Sequence, residues 1–450
     1  MTEARFAAIV LAAGEGTRMR SAQPKVLHEI AGRPMLAHVL AALAPLGPAA
    51  TVVVVGPGMD AVAKAAAPAT AVLQPSPRGT GDAVRCAAAA LAQIRGAIDT
   101  VLVLYGDTPL VESETLARLL AARQAAPPAA VAVAGMRPAD PGPYGRLVCD
   151  RDGALLRIVE ASDAGAAERA IGLVNGGIMA LDAAAAFDLV GRIGNDNARR
   201  EYYLTDIVAL ARAAGLCCRV AELPAEELAG VNTRAELAAA EAAMQRRLRR
   251  RALEAGVTLV APDTVFLSAD TRFGRDVTVE PNVVFGPGVS VGDGARIRAF
   301  SHLDGAAVGP GAIVGPFARL RPGAVLEERV HVGNFVEVKA ARLGAGAKAN
   351  HLSYLGDSEI GAGTNIGAGT ITCNYDGFNK FRTIIGEDAF IGSNTALVAP
   401  VSVGRGAIVA AGSVVTGDVP DDALTVARGR QVDKPGRAAE LRARLRRKNG

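Results

Sequence analysis

The segment Leu11-Ala12-Ala13-Gly14-Glu15-Gly16-Thr17-Arg18-Met19 closes an apolar run and carries the residue types that a phosphate requires. Two glycines let main-chain N–H groups approach an anion closely, and Arg18 adds a forked donor. Lys25, directly after Pro24, is a second cation near enough in sequence to reach back to this loop. The pattern is neither GxxxxGK[ST] nor GxGxxG, which excludes a P-loop and a dinucleotide fingerprint. Taken alone, a glycine-rich turn is also what an ordinary strand–helix connection looks like. Asp107, in Tyr105-Gly106-Asp107, follows an apolar strand pattern. A carboxylate there either faces the ligand crevice of an α/β sheet or caps a turn. Facing the crevice, it suits Mg2+, a hard cation that keeps waters and substrate phosphates as its other ligands.

A second set gathers around His351, one of five histidines in the chain. A lone histidine is more often structural, but this one has chemically useful neighbours. Arg321, Lys339 and Lys380 offer cations to a phosphate, and Tyr354, Asn365, Asn374 and Tyr375 offer hydrogen-bonding groups. Arg321 and Lys339 are 18 residues apart, one coil of three hexads in the repeat described below, so they are expected to stack on one edge.

The elements that must position these residues fall into two periods. Up to about residue 228, apolar strand runs (Ala7–Leu11, Thr51–Val55, Val101–Leu104, Ala130–Ala134) alternate with Ala-rich helical stretches. This alternation predicts βαβ units and a largely parallel sheet with its ligands at the carboxyl ends of the strands. Residues 231–254 read as a linker helix; its run Arg246, Arg247, Arg249, Arg250, Arg251 is expected to be a solvated basic face.

Beyond Phe273 the apolar positions step by six, with occasional steps of five and one insertion at Cys373–Thr383. Of 23 such positions from Phe273 to Val415, 20 are Val, Ile or Leu, and many are followed by Gly. A six-residue beat fits neither a helix nor simple alternation; it predicts a parallel β-helix of triangular section, with the inserted segment leaving it as a loop. The expected domains are 1–230, a linker helix 231–254, a β-helix 255–435 and a basic tail 436–450, in which Arg437–Lys448 reads as a solvated or oligomer-edge segment.

Composition narrows the function classes. The 450 residues carry 49 Lys+Arg against 45 Asp+Glu, a net +4 that is too small to name nucleic acid as the default partner. Aromatics are 4% of the chain with no Trp, which disfavours a single-strand stacking platform. Five cysteines without a CxxC pair disfavour a zinc ribbon or disulfide framework and fit a reducing cytoplasm. Cys373 reads as incidental. No signal peptide or membrane span is expected, since Pro45, Gly47 and Pro48 interrupt the one long uncharged window.

The sequence LAAGxGTRM with Pro24-Lys25, together with Tyr105-Gly106-Asp107, Tyr144-Gly145-Arg146 and Gly230-Val231-Asn232, resembles the sugar-1-phosphate nucleotidyltransferases. Joined to a hexad β-helix, nearly the whole chain resembles the bacterial bifunctional N-acetylglucosamine-1-phosphate uridyltransferase/glucosamine-1-phosphate acetyltransferases. The resemblance implies an α/β plus all-β protein, with a Rossmann-like nucleotidyltransferase domain and a left-handed β-helix. The left hand comes from the resemblance alone, because periodicity does not set it and parallel crossovers are usually right-handed.

By that resemblance, Leu11, Ala12, Ala13, Gly14, Lys25, Gln74, Gly79, Thr80, Tyr105 and Gly106 belong to the UTP and product site. Asp107 and Asn232 would hold Mg2+, while Gly145, Glu160, Asn175 and Asn232 would contact the sugar. Arg18 and Lys25 would offset transition-state charge. Glu15 stands where relatives often carry Lys, so only the backbone cradle is expected there. Arg321, Lys339, Tyr354, Asn365 and Lys380 would contact glucosamine-1-phosphate, and His351 would be the general base, with Glu337 as the group fixing its tautomer. Ala368, Asn374, Tyr375, Ser393, Ala411 and Arg428 would line an acetyl-CoA site between subunits of a homotrimer. The implied product, UDP-N-acetylglucosamine, feeds peptidoglycan and lipopolysaccharide synthesis. Two other readings stand beside this one: a single-activity nucleotidyltransferase whose β-helix only trimerises it, and a non-catalytic scaffold subunit.

Overall fold

The computed structural model describes residues 5–197 and 200–446. Arg447 and Lys448 of the expected basic tail lie outside the described residues. Two compact units divide the chain, Met1–Leu248 and Arg249–Gly450, with the break inside the helix Arg234–Glu254.

The first unit is built on a mixed sheet. From edge to edge its main strands run Cys218–Glu222, Val131–Met136, Val174–Asp182, Thr100–Tyr105, Phe6–Leu11, Ala50–Val55 and Thr70–Leu73. Phe6–Leu11 pairs in parallel with both Thr100–Tyr105 and Ala50–Val55, and Leu11 lies directly opposite Tyr105. The four strands expected from the sequence are all present. The sheet is less uniformly parallel than expected, because Val174–Asp182 enters between Thr100–Tyr105 and Val131–Met136 antiparallel to both. Its sequence, VNGGIMALD, includes two glycines and a register shift between Asn175 and Met179, so it lacks the unbroken apolar run of its neighbours.

Both faces of the sheet are covered, as a doubly wound fold requires. Ile9, Val101 and Val103 pack into one core layer, and Ala8, Val10, Leu102 and Leu104 into the other; all are fully buried. The helix Thr80–Leu91 lies in the first layer, and Ser113–Gln124 in the second.

The expected basic face of the helix Arg234–Glu254 is not uniformly solvated. Arg247 and Arg249 are buried: Arg247 pairs with Glu112 at 2.8 Å, and Arg249 pairs with Asp263 at 3.2 Å. Arg246 and Arg250 stay on the surface, paired with Glu226 and Glu254. A run of like charges on a helix points in several directions at once, so part of this one is buried and part stays on the surface.

The second unit is a parallel β-helix. Its strands, mostly two to four residues long, stack into three sheets of ten, eight and eight strands. Neighbours in a sheet lie one coil apart in sequence: Thr278 pairs with Arg296, and Val332 with Ala349. The residue of each hexad that the six-step pattern marks points inward; Val279, Ile297, Val314, Val332, Ala349 and Ile391 are all fully buried. Burying each such Val, Ile or Leu side chain contributes about 1.5–3 kcal/mol, and one is repeated at nearly every strand. The insertion forms a small excursion, with Tyr375 bridged antiparallel to Lys380 and Asp376 accepting from the N–H groups of Phe378 and Asn379. Those two N–H groups hold the Asp376 carboxyl below its usual range. Among the described residues, no helix is long and apolar enough to cross a membrane.

Coils approach so closely at several corners that no side chain fits between them. A Cβ placed on Gly309 would stand 2.5 Å from the Glu327 carbonyl carbon and 2.6 Å from its oxygen, which are backbone atoms that cannot rotate away. Gly309→Ala is therefore expected to force the two coils apart and to cost about 1–3 kcal/mol. Chemical denaturation of the purified variant checks this; a midpoint equal to wild type contradicts the close-approach argument.

Candidate active sites

In the first unit, the loops leaving Phe6–Leu11 and Thr100–Tyr105 emerge at the same sheet edge because Leu11 and Tyr105 are register partners. The Gly106 N–H donates to the Leu11 carbonyl at 2.9 Å and fixes the turn that carries Asp107. The Asp107 carbonyl in turn accepts from the Val231 N–H at 2.9 Å, which brings Asn232 alongside. The result is a cavity of about 450 Å³ lined by Leu11–Gly14, Arg18, Lys25, Gln74, Gly79, Thr80, Tyr105, Asp107 and Asn232.

Within this cavity the glycine loop is open. Nothing lies within 4 Å of a Cβ on Gly14, and Glu15 is exposed. Gly16 has φ +65°, and a Cβ on it would meet the Lys25 Cβ at 2.6 Å, so two independent constraints require glycine there. Gln74 is buried, with its amide nitrogen donating to the Gly79 carbonyl at 3.1 Å and to Asp82 at 2.9 Å. The Thr80 hydroxyl accepts from the Leu204 N–H at 3.0 Å and also pairs with the Tyr105 hydroxyl. Burial pushes the Tyr105 phenol well above its ordinary value.

A second cavity of about 470 Å³ shares Arg18, Thr80, Tyr105, Asp107 and Asn232 with the first and extends to Gly145, Glu160 and Asn175. Glu160 accepts from the Thr205 hydroxyl at 3.0 Å. Asn175 Oδ1 accepts from the Gly177 N–H at 2.9 Å, and the Asn175 N–H donates to the Gly145 carbonyl at 2.8 Å. Thr205 and Glu201, which also border this space, were not singled out by sequence reasoning; neither belongs to a motif recognisable by spacing.

Lys25 lies beside the glycine loop, as its position in sequence suggests, and lines the same cavity. Its ammonium group does not extend along the glycine loop; it sits between the Asp107 carboxylate and Asn232 Oδ1, hydrogen-bonded to both, the latter at 2.9 Å. One carboxylate oxygen and one amide oxygen thus converge on a single cation. Among the described residues there is no group of three or more His, Cys, Asp or Glu able to hold a metal. A pair of oxygens of this kind suits a hard divalent ion that takes its remaining ligands from water and phosphates.

In the β-helix, Lys348–His351 pairs in parallel with His331–Asn334, and His351 lies directly above Asn334. His351 is exposed, and its Nδ1 is 2.7 Å from Asn334 Oδ1. The expectation that Glu337 fixes the His351 tautomer is not met. Glu337 is the register partner of Tyr354, on the next face, and its carboxylate pairs with Arg321 at 2.8 Å. Sequence reasoning missed Asn334, although it lies 17 residues before His351, one coil away.

Arg321 and Lys339 stand on one edge of successive coils, because Leu320 and Val338 are register partners. Hydrogen bonding to Glu337 raises the Arg321 pKa further. Lys339 lies 3.7 Å from Asp357 and alongside Lys380. Lys380 is pushed down by its hydrogen bond to Lys339 and then by that neighbour's like charge. Tyr354 packs over Gly356, where a Cβ would meet its hydroxyl at 2.3 Å. Asn374, at the base of the inserted loop, is buried and donates to Asp357 and to the Tyr354 hydroxyl, so it anchors the loop. Tyr375 is exposed.

Register carries the His351 position upward through Ala368, Ser393 and Ala411, a column of small residues. Arg428 closes the column by donating to the Ala411 carbonyl at 2.7 Å. The adjacent column changes character at the same height. It runs Phe300, Phe317, Phe335, Leu352 below, with the three rings stacked at 4.9 and 5.2 Å, and Gly369, Asn394, Gly412 above. Asn365 pairs with Lys348 in the sheet that carries His351, one coil above.

Comparison with known proteins agrees with both halves. Residues 8–173 match the MobA-like NTP transferase domain. Residues 270–305 match the bacterial transferase hexapeptide repeats, and residues 382–417 match the hexapeptide repeat of succinyl-transferase. The chain is 55% identical over 443 residues to the bifunctional protein GlmU of Paramagnetospirillum magneticum, covering 98% of each chain. It is 62% identical to that of Acidiphilium cryptum, covering 97% of this chain and 98% of the other, and 59% identical to that of Rhodospirillum rubrum, covering 99% of each. The chain belongs to the bifunctional GlmU family. It is a two-activity transferase, its β-helix is of the left-handed hexapeptide class, and its nucleotidyltransferase half belongs to a chemistry that typically uses a divalent metal.

Lys25 fills the space between Asp107 and Asn232, so a divalent ion held by those two residues would have to displace its ammonium group. Lys25→Gln removes the competing positive charge and puts a neutral amide in its place. Mn2+ titration of the nucleotide-free protein is expected to show at least about fivefold tighter binding in the variant. Weaker binding than wild type would show that Lys25 supports the metal site instead of competing for it.

Proposed function

We propose that the two sites act in sequence on one amino sugar. The β-helix site transfers acetyl from acetyl-CoA to the 2-amine of glucosamine-1-phosphate. The site in the first unit then transfers uridylyl from UTP to N-acetylglucosamine-1-phosphate, giving UDP-N-acetylglucosamine and pyrophosphate. The observation that carries this reading is the convergence of Asp107 and Asn232 on a single cation at the mouth of an anion cradle.

Uridyl transfer asks little of side chains. The sugar phosphate is already an anionic nucleophile, so no general base is required. Its oxygen attacks the α-phosphorus in line while pyrophosphate leaves. Main-chain N–H groups of Leu11–Gly14 hold the triphosphate, with Gln74, Gly79 and Thr80 around the base and ribose. Arg18, and Lys25 once displaced from Asp107, offset the charge that accumulates. Asp107 and Asn232 would hold Mg2+, which when bound neutralises phosphate charge. Gly145, Glu160 and Asn175 orient the sugar.

Acetyl transfer does need a base, since the amine of glucosamine is largely protonated near neutral pH and only its neutral form attacks the thioester. The amine nitrogen bonds to the carbonyl carbon, its proton passes to His351 Nε2, and coenzyme A leaves as thiolate and takes up a proton. Arg321, Lys339 and Lys380 grip the phosphate, with Tyr354 and Asn365 on the sugar. The small column Ala368, Ser393, Ala411 leaves room for the pantetheine arm, Tyr375 borders it, and Arg428 meets its phosphates. A homotrimer suits this geometry, because the exposed ladder Phe300, Phe317, Phe335, Leu352 supplies an apolar face beside His351 for a second copy to cover.

Crossed single variants test the assignment. Asp107→Ala is expected to lose uridyl transfer by at least about 10²-fold and to keep acetyl transfer; His351→Ala is expected to do the reverse. The two half-reactions are assayed separately, with acetyl-CoA plus glucosamine-1-phosphate and with UTP plus N-acetylglucosamine-1-phosphate. Loss of both activities in either variant, or retention of the targeted one, contradicts the assignment. A wild-type protein that accepts only pre-acetylated sugar favours the single-activity reading.

A further inference from the structure

We propose that Asn334 is the positioning residue of acetyl transfer, a neutral amide that selects the His351 tautomer without stabilising its protonated form. This rests on the reading of His351 as the base. Asn334 Oδ1 is 2.7 Å from His351 Nδ1, and an amide oxygen accepts only, so Nδ1 carries the hydrogen and the lone pair is left on Nε2. Were the amide nitrogen presented instead, Nε2 would carry the hydrogen and could not accept a proton.

The pairing is built into the backbone. Asn334 and His351 are register partners of adjacent parallel strands, and the Leu352 N–H donates to the Asn334 carbonyl at 3.0 Å. Both side chains therefore leave the same corner of successive coils and cannot drift apart without breaking the ladder. Asn334 is not one rung of a repeating asparagine ladder. The same column holds Ala299 and Pro316 below it and Ala368, Ser393 and Ala411 above His351. An amide appears in this column only where a histidine stands one coil above.

The charged surroundings explain why a neutral partner matters. On the lower coil, burial first and then the charges of Arg298, Lys348 and His351 hold the His331 pKa below its ordinary value. The upper coil contributes the neutral residues Asn365 and Ala368. The nearby carboxylate, Glu337, is committed to Arg321. A carboxylate in place of Asn334 would keep the tautomer but favour the imidazolium, and an imidazolium is useless as a base.

The test uses the full-length protein and three variants, with uridyl transfer as the folding control. Asn334→Ala is expected to lower kcat for acetyl transfer about 10- to 100-fold, with the KM for glucosamine-1-phosphate within about twofold. Asn334→Asp keeps an acceptor oxygen, and is expected to retain near-wild-type kcat at high pH while the acidic limb of its kcat/KM profile moves upward by about one pH unit. A wild-type kcat in Asn334→Ala, or an Asn334→Asp profile that superimposes on wild type, overturns the proposal. If Asn334→Ala fails to fold, the Asn334→Asp profile alone decides. His351→Ala separates the two levels: retained acetyl transfer there removes the base itself, whereas its loss with unaffected Asn334 variants removes only the positioning role.

Discussion

Parallel strand pairing without slippage is the constraint on which both sites depend. Side-chain direction alternates along a strand, so a slip of one residue would turn a functional side chain to the opposite face. In the first unit, the Leu11–Tyr105 register delivers the glycine loop and Asp107 to one sheet edge. In the β-helix, the Val332–Ala349 register sets His351 on Asn334. Residues distant in sequence become neighbours because the ladders between them are fixed. The glycines at close coil contacts, such as Gly309, protect those ladders by letting backbone meet backbone.

Electrostatics then decides what each site receives. In the first, an ammonium group rests between a carboxylate and an amide oxygen, which fits a position that must accept positive charge. In the second, Lys339 and Lys380 crowd together on an exposed edge that also carries Arg321, with Asp357 the carboxylate nearest to Lys339. That arrangement suits the phosphate proposed for it. On the proposed reading, one sugar phosphate chemistry would meet two different receptions: metal and main chain in one half, side-chain cations and an imidazole in the other.

Much of this was legible in the sequence. The hexad series located the β-helix because an inward aliphatic every sixth residue has no other regular explanation, and Ala7–Leu11 followed by Gly14 and Gly16 located the cradle. What escaped has physical causes. The antiparallel strand Val174–Asp182 was obscured by its glycines, which serve the pocket and not the core. Sequence proximity placed Lys25 in the cavity of the glycine loop but could not show its pairing with Asp107 and Asn232. Glu337 was named as the partner of His351 and Asn334 was missed, because distance along the chain alone does not show which residue is the register partner of His351. One coil of register, 17 residues here, would have pointed to Asn334.

If the two sites are separate chemical machines joined only by a diffusible sugar phosphate, defects in them complement. The most direct measurement mixes Asp107→Ala and His351→Ala proteins with acetyl-CoA, glucosamine-1-phosphate, UTP and Mg2+, and follows UDP-N-acetylglucosamine. The account predicts that the mixture makes it after a lag, while N-acetylglucosamine-1-phosphate accumulates, and that neither protein alone does so. A mixture that forms no product, although each variant retains its own half-reaction, would contradict it.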